Sequence, residues 1–289
     1  DCLGCHFNEG KADQGTMIIY LGVQIRISRS GVHFSLSWNR RQKLIWWCSY
    51  YLETDKMRAG EAKTLVGKLS WSLNAVWGAF GRGMIAPLNH RACGKYKWPT
   101  LNNNIRRALT WWKELLGNDM STWERTIPHD KPDREDRVLG WTDASESGLG
   151  ALFRCDGDYS YIQLALHDRT DNIAVLEMEA LLISLREYRR EIEGKHCLIF
   201  IDNNVVLGSI VKGSSHLPEL NPYIYECWRE LVLAKAHVWF ERVASKANPS
   251  DNPSRLKSPQ EWLPNRSLKR RRLSKGLEKD PLNFRGTLG

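Results

Sequence analysis

The sequence predicts a mixed α/β layer fold preceded by a β-hairpin and a helical region. Three observations carry this. Residues 138–166 read as three consecutive strands. From residue 174 onward, long helical segments separate two further short strands. Before residue 120 the apolar residues recur mainly at helical spacing. The order is strands, helix, strand, helices, strand, helix, not an alternating βαβ array, and no internal repeat is visible.

Taken in order, residues 18–23 and 24–27 read as strand, and a second strand over 32–36 follows the turn at Ser30-Gly31, a hairpin signal. A helix is expected over about 40–52. After Gly60, the residues Leu65, Leu69, Leu73 and Val76 lie on one helical face. Gly81-Arg82-Gly83 ends that helix, and Pro87 marks a break nearby. Ile105, Leu109, Trp112 and Leu116 place another helix over 103–116. Nine of the 13 Trp precede residue 130, most of them expected in a helical core and some free to stack on bases. Residues 121–136 are polar and carry Pro, so they read as a linker. Strands are then expected over 138–143, 149–154 and 159–166, a strong helix over 174–190, and a short buried strand over 197–201. Helical segments continue to about 236, a strand spans 237–243, and a last short helix lies near Asp251.

The chain has 289 residues, 42% of them hydrophobic, enough for a sizeable core. No apolar run approaches the ~20 residues of a membrane span, so no membrane is expected as partner. The first residues show no secretory pattern, and the absent initial Met suggests an excised piece. Seven Cys without framework spacing suggest reduced thiols in an intracellular protein, cytoplasmic or nuclear. Cys2, Cys5 and His6 spell a haem-attachment pattern, but that chemistry needs an export route. The net charge of +9 is uneven: +8 over residues 1–130, −5 over 131–255 and +6 over 256–289. Basic flanks suit a polyanion such as nucleic acid, and an acidic middle suits bound cations as well as a solvated surface.

Four acids sit where a cation site could form. Asp143 ends the first of the three strands, Glu177 lies early in the long helix, Asp202 follows the strand over 197–201, and Asp251 lies in the last loop. Phosphodiester cleavage with two divalent ions ~3.5–4 Å apart needs such converging carboxylates, and hard cations such as Mg²⁺ take oxygen ligands. Glu177 and Glu179 compete for one place. Glu177 shares a helical stripe with Leu181, Leu185 and Tyr188, whereas Glu179 falls with Arg186 and Arg190, where a solvated ion pair is expected.

The segments WTDASESGLGA from Trp141, VLEMEA from Val175, IFIDN from Ile199 and NPSDNPSR from Asn248 resemble the four motifs of ribonuclease H, in order and approximate spacing over about 120 residues. The resemblance implies a five-stranded mixed sheet with flanking helices, two Mg²⁺ or Mn²⁺ ions, and cleavage of RNA in an RNA–DNA hybrid. It places Asp143, Glu177, Asp202 and Asp251 as the catalytic and metal-binding residues, with Gly148 and Gly150 on the turn into the second strand. Between Val243 and Asp251 there is no His, where cellular members carry one. The motif around Asp251 is more like retroelement versions.

Upstream, Leu3-Gly4, Asn8, Lys11 and Tyr20-Leu21-Gly22-Val23 resemble the last palm motifs of a reverse transcriptase, and Leu65 to Trp71 through Gly81-Arg82-Gly83 resembles its thumb. The style is closest to DIRS-like retrotransposons. The implied layout is palm end with a primer-grip-like hairpin (1–36), thumb-like helices (37–95), connection (96–135), ribonuclease H-like domain (136–256) and basic tail (257–289). The chain has no Asp-Asp pair, so the polymerase active site is expected to lie in an upstream core that would be a partner. Nucleic-acid contacts are expected from Arg40, Arg41, Lys43, Lys63, Lys68 and Arg82, and from the tail residues Lys269, Arg270, Arg271 and Arg272, which also read as a nuclear-import signal or a disordered tail. The competing readings are a non-catalytic nucleic-acid-binding remnant of a retroelement polyprotein, and another nuclease or an integrase on the same fold.

Overall fold

A computed structural model describes residues 15–76, 78–94, 98–117, 124–129, 136–167, 171–262, 268–277 and 279–282. The Cys2, Cys5 and His6 group and the stretch from Leu3 to Lys11 lie outside these residues.

The chain opens with an antiparallel meander, β1 (Met17–Tyr20), β2 (Val23–Ser28) and β3 (Gly31–Leu36). The expected continuous run through residue 23 is interrupted at Leu21-Gly22, where φ is 48° and 84°. Two successive left-handed residues make the tight turn that suits a two-residue hairpin. A fourth strand, β4 (Arg125–Pro128), pairs with β3. The segment over 121–136 is therefore not only a linker; β3 supplies hydrogen bonds that a short polar sequence does not advertise.

Four helices follow β3. In α1 (Trp38–Thr54) the Ser37 hydroxyl accepts from the Arg40 N–H as a cap. Next come α2 (Ala59–Val76), α3 (Arg82–Ala92) and α4 (Asn103–Gly117). Leu44, Cys48, Leu65, Leu69, Ile105 and Trp112 meet in their shared core. Pro87 does not break α3 but sits inside it, at a position where proline removes a single backbone bond of the second turn. The aromatic residues divide: Trp112 is buried, while Trp38, Trp46, Trp71 and Trp98 are exposed.

The second half is a mixed sheet in the order β10-β7-β6-β5-β8-β9. Strands β5 (Val138–Ala144), β6 (Gly148–Cys155) and β7 (Asp158–Ala165) are antiparallel neighbours. Strands β8 (His196–Ile201) and β9 (His237–Arg242) extend the sheet in parallel from β5. These five are the mixed sheet that the resemblance implies. Helix α5 (Ile173–Glu187) crosses it, continued by the single turn α6 (Arg189–Ile192). Helices α7 (Asn204–Lys212) and α8 (Leu220–Leu233) link β8 to β9, and a short helix α9 (Asp251–Ser254) follows, then a single turn, α10 (Pro259–Trp262). Helix α5 is buried on almost every side, because it packs against β5 and β6 on one side and α8 on the other.

The tail adds a sixth strand. β10 (Leu268–Arg270) pairs in parallel with β7, register Leu268↔Tyr159, and Leu277 is fully buried in the sheet's core. The described tail is thus an integral edge of the sheet and not a loose basic extension. The two halves touch firmly. Trp111 Nε1 donates to Tyr225 Oη at 2.6 Å, Phe80 stacks on Tyr225, and a Cβ on Gly213 would lie 2.4 Å from the Ala79 carbonyl.

Candidate active site

Asp143 and Asp202 stand at adjoining strand ends. Asp143 is the penultimate residue of β5, and Asp202 directly follows β8, its parallel neighbour. Parallel pairing of these two strands brings their C-terminal ends together. Glu177 is the fifth residue of α5, in the second turn and not the first. Asp143, Glu177 and Asp202 each offer one carboxylate oxygen, and the three oxygens lie within 4.8 Å of one another.

The cluster is electrostatically costly as it stands. Burial, opposed by the Ser254 hydrogen bond and reinforced by Asp202 and Asp251, pushes the Asp143 carboxyl up to about 6. Burial likewise pushes Glu177 up to about 8, opposed by a hydrogen bond from Asn203, with Asp202 and Asp143 adding to the rise. The Oδ1 atom of Asp202 is buried without a hydrogen-bond partner. A divalent cation fits this donor set: all oxygens, negative, converging, with one carboxylate oxygen left unsatisfied.

Neighbouring polar groups fix the carboxylates. Ser254 Oγ donates to Asp143 Oδ2 at 2.9 Å, and Ser145 Oγ donates to the Ser254 carbonyl at 2.7 Å. Asn203 Nδ2 donates to Glu177 Oε1 at 3.0 Å, while its Oδ1 accepts from Val205 N and caps α7. Asn248 Nδ2 donates to the Thr142 carbonyl at 3.2 Å, tying the last loop to β5. Ser254, Asn203 and Asn248 lie inside the motifs without a role that the sequence alone assigns; the available signal is a polar residue next to Asp202 and one three residues to either side of Asp251.

Gly150 lies within β6, opposite Asp143, and Gly148 is the strand's first residue. A Cβ at Gly150 would come 2.3 Å from the Ser254 nitrogen, and one at Gly148 would come 2.7 Å from the Leu164 carbonyl and 2.9 Å from the Ser254 carbonyl. Their smallness lets α9 lie on the strand and deliver Ser254 to Asp143. The fourth predicted acid, Asp251, is not in the triad. Its Oδ1 pairs with Arg255 Nε at 2.7 Å, though its charge is felt at Asp143.

Glu179 is not a solvated partner of Arg186. It is buried, with Tyr223 Oη donating to its Oε2 at 3.4 Å, and Arg186 pairs instead with Glu226 and Glu230. The reason is α8, which covers the face of α5 expected to meet water.

The predicted basic contacts fall into two groups. Lys43 and Lys63 are exposed on α1 and α2, and Lys68 holds its ammonium 4.6 Å from the Trp47 ring centroid. Lys269, Arg270 and Arg272 are exposed on or beside β10. Arg41, by contrast, is buried and donates to the Leu116 carbonyl, and Arg40 donates to the Lys68 carbonyl at 3.2 Å. Arg82 is exposed yet tied to Gly78, Asn74 and the Lys212 carbonyl. Arg271 lies over the Tyr188 ring and pairs with Glu191, so it fastens the tail. Arg41 and Arg271 are thus internal struts, which charge counting alone does not distinguish from surface cations.

No family model matches the chain, and no curated protein matches it. Among solved structures it is similar to LC11-RNase H1, isolated from compost by a metagenomic approach: 15% identity, 41% of this chain and 92% of that one, TM-score 0.34. It is also similar to the foamy viral protease-reverse transcriptase in complex with RNA/DNA hybrid: 12% identity, 80% of this chain, TM-score 0.29. The chain spans only 29% of that protein's length. A third likeness is to the foamy viral protease-reverse transcriptase in complex with dsDNA, at 13% identity, 80% of this chain and 45% of that one, TM-score 0.28. At these scores the likenesses carry no weight for activity or partners.

Proposed function

We propose that this chain hydrolyses the RNA strand of RNA–DNA hybrids as the ribonuclease H part of a retroelement-type reverse transcriptase. The observation that carries the reading is the triad Asp143, Glu177 and Asp202: three carboxylates from three separate elements, in the order of the first three sequence motifs, with oxygens within 4.8 Å of one another and one Asp202 oxygen unsatisfied. Two Mg²⁺ or Mn²⁺ ions would be held by these three residues and by Asp251. Bound there, such ions supply a water activated at neutral pH and charge stabilisation for the leaving oxygen.

The chain's own residues orient and select. Ser254 and Asn203 hold the Asp143 and Glu177 carboxylates in one rotamer each. The exposed Lys43 and Lys63 and the half-buried Lys68, with the exposed Trp46 and Trp71, present cations and aromatic faces on the helical half. In this reading that half is the thumb (37–95) and connection (96–135), downstream of a polymerase core that would be its natural partner.

The test is a cleavage assay on RNA–DNA hybrid, double-stranded RNA and double-stranded DNA, with Mg²⁺ and with EDTA. Hybrid-specific, Mg²⁺-dependent cutting of RNA is expected. A second reading is a binding remnant without turnover, favoured by the Asp251–Arg255 pair, which leaves the fourth acid engaged elsewhere. Hybrid binding without cutting would select it.

A further inference from the structure

We propose that the cleft between α3 and the start of α8 binds a short single-stranded nucleic-acid segment, at a site separate from the carboxylate triad. The cleft has a volume of about 940 Å³ and is walled by both halves of the chain. That is the upper end of the ~300–1,000 Å³ typical of ligand sites. Its rim carries His90 and Arg107 from the helical half, Lys212 from the end of α7, and His216 from the loop joining α7 to α8. All four are exposed. None of them pairs with a carboxylate among the described residues. The acid in the lining, Glu226, is already neutralised by Arg186 at 2.5 Å and Arg229 at 3.4 Å. The cleft therefore presents uncompensated positive charge, which suits phosphates.

The lining between these cations is apolar and partly aromatic, with Met84, Pro87, Tyr225 and Trp228. Such a surface meets the faces of bases, which a duplex keeps stacked inside and a single strand exposes. The walls do not drift apart, because the Trp111–Tyr225 and Arg82–Lys212 bonds and the Gly213–Ala79 approach join them. Helix α7 separates the cleft from the triad: Asp202 lies two residues before its first residue, Asn204, and Lys212 is its last. At 1.5 Å per residue the helix alone, from Asn204 to Lys212, spans about 12 Å. The proposal deepens the nuclease reading by adding a contact for an unpaired strand beside the cutting site.

The test reads binding alone, so it is independent of cleavage. A fluorescent 12-nucleotide oligo-dT is titrated with the full chain in EDTA at several salt concentrations, by anisotropy. Arg107→Gln and Lys212→Gln should each lower the salt slope by about 0.7, and together weaken binding about tenfold. Lys235→Gln, an equal loss of charge at an exposed position away from the cleft, should leave the slope unchanged. Unaltered affinity and slope in the double variant would overturn the proposal, as would an equal effect from Lys235→Gln. Displacement of the oligonucleotide by submillimolar pyrophosphate would make this a free-phosphate site and overturn the strand assignment. If hybrid is never cut but these slopes fall as expected, the nuclease reading fails and the cleft stands. If hybrid is cut and the slopes do not move, the reverse holds.

Discussion

Replacing Asp143 with Asn should stabilise the protein in the absence of metal while abolishing cleavage. In the folded chain the Asp143 carboxyl is raised from 3.8 to about 6, chiefly by burial. The folded state thus holds this proton more tightly than the unfolded chain, so Asp143's contribution to stability is fully present below pH ~4 and is lost as pH rises through about 6. A rise of about two units corresponds to about 3 kcal/mol at ~1.4 kcal/mol per unit. The asparagine keeps the acceptor for Ser254 Oγ, and its amide can donate to the neighbouring carboxylates, so the geometry survives. Urea unfolding in EDTA at pH 4 and pH 7.5 measures the effect. The variant should gain about 3 kcal/mol on the wild type between those two values. Millimolar Mg²⁺ should then restore the wild type, by about 2.7 kcal/mol at a hundredfold excess over Kd, and the variant far less. A difference between the two proteins that is the same at pH 4 and pH 7.5 would refute the reasoning.

Further expectations follow from other residues. Asp202→Asn should abolish Mg²⁺-dependent cutting with hybrid affinity changed less than about twofold, since it removes charge from the triad and not from the basic surfaces; retention of wild-type rates would remove Asp202 from the site. Because Glu177 is raised to about 8, divalent-ion affinity should climb from pH 6 to pH 8, with protons released on binding, as calorimetry in two buffers of different ionisation enthalpy would show. Glu179→Gln should act mainly on stability and Glu177→Gln mainly on turnover, so a melting curve and a rate for each separate the two roles. Leu277→Ala should cost ~2–5 kcal/mol, because the side chain is fully buried; a neutral result would mean the tail is not docked.

Much of the second half was readable in advance. Its strands alternate or run apolar, and two of its acids, Asp143 and Asp202, fall at strand ends, where the backbone turns and carboxylates can converge. The Glu177 and Glu179 comparison reached the residue that joins the cluster, but for an incomplete reason. Helical periodicity assumes one wet face, and α5 has almost none, since α8 covers it. β4 and β10 were not readable. Each is only three or four residues long, too short for a period to show, and each becomes a strand only because β3 or β7 offers an edge. Arg41 and Arg271 show the same limit for charge: their roles depend on a carbonyl 75 residues away and on a carboxylate 80 residues away. The partly exposed Trp set was misjudged because helical spacing reports which face an aromatic occupies only when the neighbouring helices are known.

The parallel pairing of β10 with β7 also has a consequence in time. Leu268 meets Tyr159, so the outer edge of β7 stays bare until more than a hundred further residues have been synthesised. At ~5–20 residues per second that interval is roughly 5–20 s. Throughout it, β7 offers a row of free backbone donors and acceptors to any extended chain nearby, including a second nascent copy. Birth of this protein on crowded polysomes therefore carries a hazard at Tyr159–Tyr161 that β10 removes from its finished form. Slowing translation between residues 166 and 268 should lower soluble yield more than the same delay placed before residue 136.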